Sequence, residues 1–407
     1  MTDNMDVAII GGGAAGIAAA RRLKERGRSV LLIEAMPTLG GRARTVFLDD
    51  IPLDFGCEWL HSAERNPFVA LAEGEGRIVD HRDGGWHQHA ENKVFSAEDR
   101  QKAGEAYDQF CEFLQVHRPS SDCAADALAR DDRWAPFINA LSSFINGTEL
   151  DDLSVADFLT YDTAASHNNW RLKNGYGALI AGLGAGVPAA LETAVTSISH
   201  GNGIVLDTNR GTMHARAAIV TVSSAVLARG MIRFTPSIDE HLHAASCLPL
   251  GSADKVFLSI ADPQLVPAEH HAIGSLERSG TGSYSLRPFG RPLIECYLGG
   301  AIARELEEAG ESAAVSFVIG ELRDLFGSDV ARALSPLAVT RWGQQPTILG
   351  SYSHALPGFA NQRAVLARPV SDRLCFAGEA CSHEDFSTAH GAWQSGIAAA
   401  DWIENCL

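Results

Sequence analysis

The chain contains no CxxC pair, no run approaching the roughly 20 apolar residues of a membrane span, and no excess of positive charge. Each absence excludes a class. Its eight cysteines lie scattered at positions 57, 111, 123, 247, 296, 375, 381 and 406, so neither a zinc site nor a redox dithiol is suggested. Reduced thiols in a cytoplasmic protein are the expected state, and no metal site is expected. The formal net charge of −17 argues against nucleic acid or an anionic membrane as partner. No signal peptide precedes the first apolar run, and the end at Leu407 leaves no room for an anchoring tail, so the expectation is a soluble cytoplasmic protein. What is present is a 46% hydrophobic composition over 407 residues, enough for a large core in two domains or one elaborated α/β unit.

Residues 6–34 organise the rest. Val7–Ile10 read as a short buried strand, Gly11, Gly13 and Gly16 fall in GxGxxG spacing, and a helix runs through Ile17–Leu23 until Gly27 stops it. Val30–Ile33 form a second buried strand ending at Glu34. The first glycine permits the tight turn, the second lets a pyrophosphate approach the backbone, and the third lets helix and strand pack closely. Bare amides at the helix N-terminus favour an anion. Glu34 lies 23 positions after Gly11, near the roughly 20 expected of an acid that binds a ribose hydroxyl. This stretch predicts dinucleotide binding but does not separate FAD from NAD.

The segment PTLGGRARTV follows, with Gly40 and Gly41 giving a close backbone approach and Arg42 a fork of donors suited to phosphate. LGGRART after such a βαβ unit resembles the flavin amine oxidase family, which includes monoamine and polyamine oxidases. In that family the arginine of GGR sits against the FAD pyrophosphate, which implies that role for Arg42; Arg44 is either a second contact or a surface charge. LDFGCEWLHSAERNP resembles the family's G-A-x-W-I-H-G segment beside the flavin, matched at Gly56, Trp59, Leu60 and His61. His61 is thereby a pocket candidate, against a plain structural histidine. Where the amino-acid oxidase branch grips a substrate carboxylate with arginine, this chain has Trp59, which counts against an α-amino acid substrate.

Further matches run to residue 403, with the weakest coverage between 70 and 175. There, Ser96 with Asp99 predicts a capped helix carrying Tyr107, Phe110 and Leu114 on one face, and a second helix covers Phe137–Phe144. Asn174–Gly177 resembles the family's G-G-Y-G turn. Residues 195–227 alternate as hairpin strands; Val195 is either the family's adenine contact or ordinary strand packing. LPLGSADKVFLSI places Lys255 where the family carries a lysine linked through water to the flavin N5, the alternative being an edge-strand lysine in solvent. Strands are expected around Ile273–Leu286 and Leu293–Leu298, then helices over Ala301–Ala309 and Ala313–Phe326. Trp342 and Tyr352 match the family's tryptophan and flavin-flanking tyrosine. Ser351 stands where covalent relatives have cysteine, so the FAD is expected to be non-covalent. In RLCFAGEACSHEDFSTAHGAWQSG, Gly378 and Glu379 match the turn under the ribityl chain. Ser387 and Thr388 lead into a helix whose N-terminus faces the flavin pyrimidine in relatives, where it stabilises negative charge on the reduced ring. Monoamine oxidases place a second cage tyrosine near Thr388, so the chain is closer to polyamine oxidases. This motif decides for FAD.

The expected fold is α/β: a Rossmann-type FAD-binding domain from 1–69, 185–237 and 346–407, with an inserted α+β substrate domain from 70–184 and 238–345. The expected cofactor contacts are Gly11, Gly13, Ala14, Ala15, Gly16, Glu34, Ala35, Gly41, Arg42, Gly56, Cys57, Glu58, Trp59, Val195, Trp342, Gly378, Glu379, Ser387 and Thr388; the expected catalytic residues are Lys255, His61 and Tyr352. The resemblance implies FAD-dependent oxidation of a small amine without an α-carboxylate to an imine, with O2 or another acceptor as oxidant and H2O2 as product. A desaturase or porphyrinogen-type oxidase, or a silent FAD-bound module, are the rival classes. A homodimer is among the assemblies left open.

Overall fold

The computed structural model describes residues 5–82, 86, 88–129, 131–166 and 168–407. Its first sheet is built from the nucleotide stretch outward. The strand β1 (Met5–Ile10) is flanked in parallel by β2 (Val30–Ile33) on one side and by the long strand Gly211–Val220 on the other. Helix α1 (Ala14–Glu25) makes the crossover between β1 and β2. Strand Gly211–Val220 changes partners along its length. Its first part pairs antiparallel with Ile204–Thr208, and Ala218–Val220 pairs in parallel with Leu374–Phe376. The 195–199 and 233–235 strands extend one edge, and Ala189–Ala190 closes the other. A sheet buried on both faces reads as near-continuous apolar runs, and β1 and Ala217–Val220 are buried in that way.

The second sheet has five antiparallel strands in the order 270–273, 282–286, 293–299, 253–260, 334–339. Strand Ala253–Ile260 is interior, paired on both sides. Helices Gly300–Ala309 and Glu311–Phe326 follow the last strand but one, close to their expected bounds. The helix capped by Ser96 and Asp99 spans Ala97–Val116, and a further helix spans Ala135–Asn146. Helix Val155–Ala164, opened by Ser154 accepting from Asp157 N in the same S-x-x-D pattern, and strand Trp170–Leu172, which pairs with Trp59–Leu60, are not among the expected elements. The G-G-Y-G-like turn opens helix Tyr176–Leu183, with Asp54 accepting from Tyr176 N and Gly177 N.

The C-terminal helix (Ala389–Cys406) lies on α1. At Gly396 the helices touch through backbone, since a Cβ there would overlap the carbonyl oxygen of Ala15. Arg22–Asp401 (2.8 Å) and Arg28–Glu404 (2.8 Å) tie the outer ends of the two helices. Among the described residues no helix is long and apolar enough to cross a membrane, and all eight cysteines are free. Inserting a β-branched side chain into the Gly396 contact should force the helices apart. Gly396→Val is expected to lower stability by about 1–3 kcal/mol, read as a shifted urea midpoint; an unchanged midpoint would show that the helices adjust without cost.

Candidate functional site

The phosphate loop is shaped by two kinds of glycine. A Cβ at Gly16 would overlap the carbonyl oxygen of Gly11, and Gly11 itself has φ +111° against Thr221, so both are required by the protein's own packing. Gly13 is different: a Cβ there would meet nothing closer than Gly40 O at 3.9 Å, and its φ is −78°. Nothing in the chain demands glycine at Gly13. Open space before the N-cap of α1, with Ala14 and Ala15 in its first turn, fits a pyrophosphate laid against the backbone. Glu34 is buried at the end of β2, where its carboxylate accepts from Gly12 N (2.5 Å) and Met36 N (2.7 Å). Burial raises its pKa against those amide bonds. Ala35 follows it, half-buried.

The GGR loop lies beside this turn, with Gly40 bridging to Gly13 and Gly41 at φ +59°. Arg42 donates from one nitrogen to Glu379 (2.8 Å) and to Ser351 O (2.7 Å). Glu379 is buried, and its other oxygen accepts from Ser353 Oγ (2.6 Å) and Ser387 N (3.0 Å). Burial would raise its pKa, but the Arg42 charge and these bonds hold it below the usual range. The guanidinium and the C-terminal motif thus form one unit, with Gly378 open beside Glu379. Ser387 sits at φ +63° and Thr388 caps the C-terminal helix, its side chain accepting from Gly391 N (3.0 Å). Gly56 lies flat on the GGR loop, because a Cβ there would overlap Arg42 O. Trp342 donates from its indole to Phe55 O (3.0 Å), and Cys57 follows, its thiol pushed up by burial. Val195 packs in the core with residues of β1 and β2.

Three carboxyl and ammonium groups meet beyond Gly56. Lys255 is 4% exposed, and its ammonium lies 2.9 Å from Glu58 Oε2 and 2.5 Å from Glu295 Oε1. The edge-strand alternative for this lysine is therefore excluded: its strand is interior and its charge is compensated. Burial would lower the Lys255 pKa, but the two carboxylates raise it instead. Burial would likewise raise Glu58, yet Lys255 and a hydrogen bond from Glu295 draw it down to about 2. Glu58, expected to face the cofactor, has its carboxylate turned to Lys255.

Tyr352 is held by its hydroxyl, 2.6 Å from Phe144 O and 2.7 Å from the hydroxyl of Tyr297. Tyr297 stands directly opposite Lys255 in the sheet. Trp59 packs tilted against Trp86, ring centroids 4.4 Å apart at 44°, and lies under the Arg171 guanidinium at 5.2 Å. Arg171 is buried and paired with Glu269 (2.8 Å) and Asp80 (3.3 Å). Glu295, Tyr297 and Arg171 escape sequence reasoning because only strand register brings them here. An aromatic two residues beyond an acid on strand Leu293–Gly299 was the one available signal.

His61 is half-buried, with Nδ1 2.7 Å from Asn169 Oδ1. That pairing assigns the proton to Nδ1 and leaves Nε2 as acceptor. Burial lowers its pKa to about 4. With that pKa, His61 is a neutral imidazole at neutral pH, offering Nε2 as a hydrogen-bond acceptor.

The flavin containing amine oxidoreductase family model matches residues 86–403, and an NAD(P)-binding Rossmann-like domain model matches residues 9–72. Polyamine oxidase 4 of Oryza sativa subsp. japonica is 28% identical over 97% of this chain and 88% of its own length. Polyamine oxidase 2 of Arabidopsis thaliana is 26% identical over 98% and 88%. A redesigned putrescine oxidase structure superposes with TM-score 0.77 at 16% identity, covering 99% of both chains, a likeness of fold.

The depressed His61 pKa sets a testable slope. A histidine near 6.5 when unfolded and about 4 when folded binds its proton only in the unfolded chain between those values. Stability from this group is complete above the unfolded value and is lost as pH falls toward the folded one, at up to about 1.4 kcal/mol per pH unit. His61→Gln should flatten the stability–pH curve by about one proton in that window, measured by urea unfolding. An unaltered slope would mean that His61 titrates normally.

Proposed function

The chain belongs to the flavin-containing amine oxidoreductase family and is an FAD-dependent oxidoreductase acting on CH–NH bonds, and from that premise we propose that it oxidises a primary or secondary amine without an α-carboxylate to the imine. In this reading O2 takes the electrons and leaves as H2O2. The polyamine oxidase relatives support a polyamine as a candidate substrate. The carrying observation is electrostatic. The guanidinium beside Trp59 is Arg171, and it is already paired with Asp80 and Glu269. Lys255 is likewise held by Glu58 and Glu295. A carboxylate entering beside either cation would meet their acids, and burying it without a partner would cost several kcal/mol.

When bound, FAD supplies the two-electron sink. The residues proposed to hold it are the turn Gly11–Gly16, Glu34 and Ala35, Gly41 and Arg42, the 56–59 segment, Trp342, Gly378, Glu379, Ser387 and Thr388, with Val195 as the proposed adenine contact. The sheets support a cofactor-binding unit from 1–69, 185–237 and 346–407 and a substrate unit from 70–184 and 238–345. Tyr352, its hydroxyl tethered to Tyr297, presents a fixed ring to the amine. Nε2 of His61 accepts a hydrogen bond from the amine and orients its lone pair, while the proton displaced from the cationic amine leaves to solvent.

Two measurements test this. Because Ser351 offers no thiol, acid precipitation should leave the flavin in the supernatant; flavin retained in a washed pellet would overturn non-covalent binding. In anaerobic flavin reduction, amines should react faster than the corresponding L-amino acids. The rate at subsaturating amine should rise from about pH 6 to about pH 9 as the neutral amine accumulates. Faster reduction by the amino acids would refute the substrate class.

A further inference from the structure

Glu58, Lys255 and Glu295 come from two parts of the fold. Lys255 and Glu295 sit on neighbouring strands, on one face: Lys255 opposes Tyr297 and Phe257 opposes Glu295, so the lysine and glutamate form a diagonal cross-strand pair. Glu58 reaches them from the segment that lies on the GGR loop. The glutamate side chains are 13% and 10% exposed, and Lys255 is 5% exposed. Two carboxylates against one ammonium would leave a buried negative charge. Both carboxyl groups lie against the same ammonium, at 2.9 Å and 2.5 Å, and one proton held between them would remove that surplus charge. With that proton the group of three is neutral.

We propose that Glu58 and Glu295 form a singly protonated carboxyl pair that fixes Lys255 as a permanent ammonium, making both glutamates positioning residues for the reaction. Two of the three ammonium hydrogens are committed to the pair, which leaves the third for a water or substrate. Lys255 is then a donor throughout turnover and never a base. Burial and the Glu58 charge both push Glu295 up. The other groups facing the three are Asp54 and Cys57 on the 54–57 segment, Arg171 and Arg291 flanking Glu58, and Tyr297 with its hydroxyl on Tyr352.

The arrangement predicts an unusual mutational pattern. In either single variant the remaining carboxyl group ionises against the ammonium. Each single variant keeps one carboxylate for one ammonium, so each should slow amine-driven flavin reduction far less than the double variant does. The double variant leaves Lys255 uncompensated and should slow reduction by at least about tenfold, well beyond the product of the singles. It should also gain an alkaline inflection as Lys255 loses its proton, and in a Lys255→Met background the same substitutions should add nothing. Independently of any substrate, the FAD-bound protein labelled with [δ-13C]glutamate should show one carboxyl resonance at its protonated position at neutral pH, absent in either single variant. That arm stands even if the amine assignment fails, and it decides the matter if the double variant does not fold. The proposal is overturned if every glutamate resonance is ionised in the wild type, or if each single variant costs tenfold and the costs multiply.

Discussion

Contacts of backbone on backbone, each open only to glycine, fix where the distant segments of this chain meet. Gly16 rests on Gly11 O, Gly56 on Arg42 O and Gly396 on Ala15 O. The first closes the phosphate turn onto its own helix. The second lays the segment carrying Glu58, Trp59 and His61 across the GGR loop. The third seats the C-terminal helix, and with it the Thr388 cap, against α1. Any Cβ at these points would open a gap where the interior is otherwise close-packed. The side chains of the site come from widely separated positions, yet their relative placement depends on these few approaches.

Given that frame, the charges are arranged so that none is left alone. Arg42 is met by Glu379, Arg171 by Asp80 and Glu269, and Lys255 by Glu58 and Glu295. Each cation stands on a different segment from its acids, so the pairs also hold segments in register. Buried ion pairs are weak sources of net stability, because desolvation offsets most of the attraction. Their effect here is on placement: a long, mobile lysine becomes a fixed donor, and an arginine becomes a planar wall beside Trp59.

The nucleotide half of the molecule was legible because its rules are local. Glycine spacing, a helix start and a strand-end acid all lie within residues 6–34, and the structure places them as the spacing predicts. Lys255 was legible through the resemblance of its flanking strand. Its partner Glu295 was not, since 40 positions separate them and only antiparallel register brings them to one face. Arg171 was hidden for the same reason, on a three-residue strand in the stretch with the weakest resemblance. The lowered pKa of His61 was not legible, because the burial that causes it is a tertiary fact. Sequence shows which residues carry chemistry; desolvation decides what protonation state they keep.

The chain as a whole is acidic while its site is balanced, and the contrast bears on how an amine arrives. With a formal net charge of −17, the surface field favours approach of a cationic amine. Inside, the acids nearest the site are already compensated, so the low dielectric favours the neutral form of the same molecule. A neutral His61 adds no positive charge to repel the incoming cation, and its low basicity prevents it from trapping the released proton. On the proposed reading, attraction outside and deprotonation inside are separate steps carried by separate groups. One follows from net charge and is screened by salt; the other follows from burial and is not.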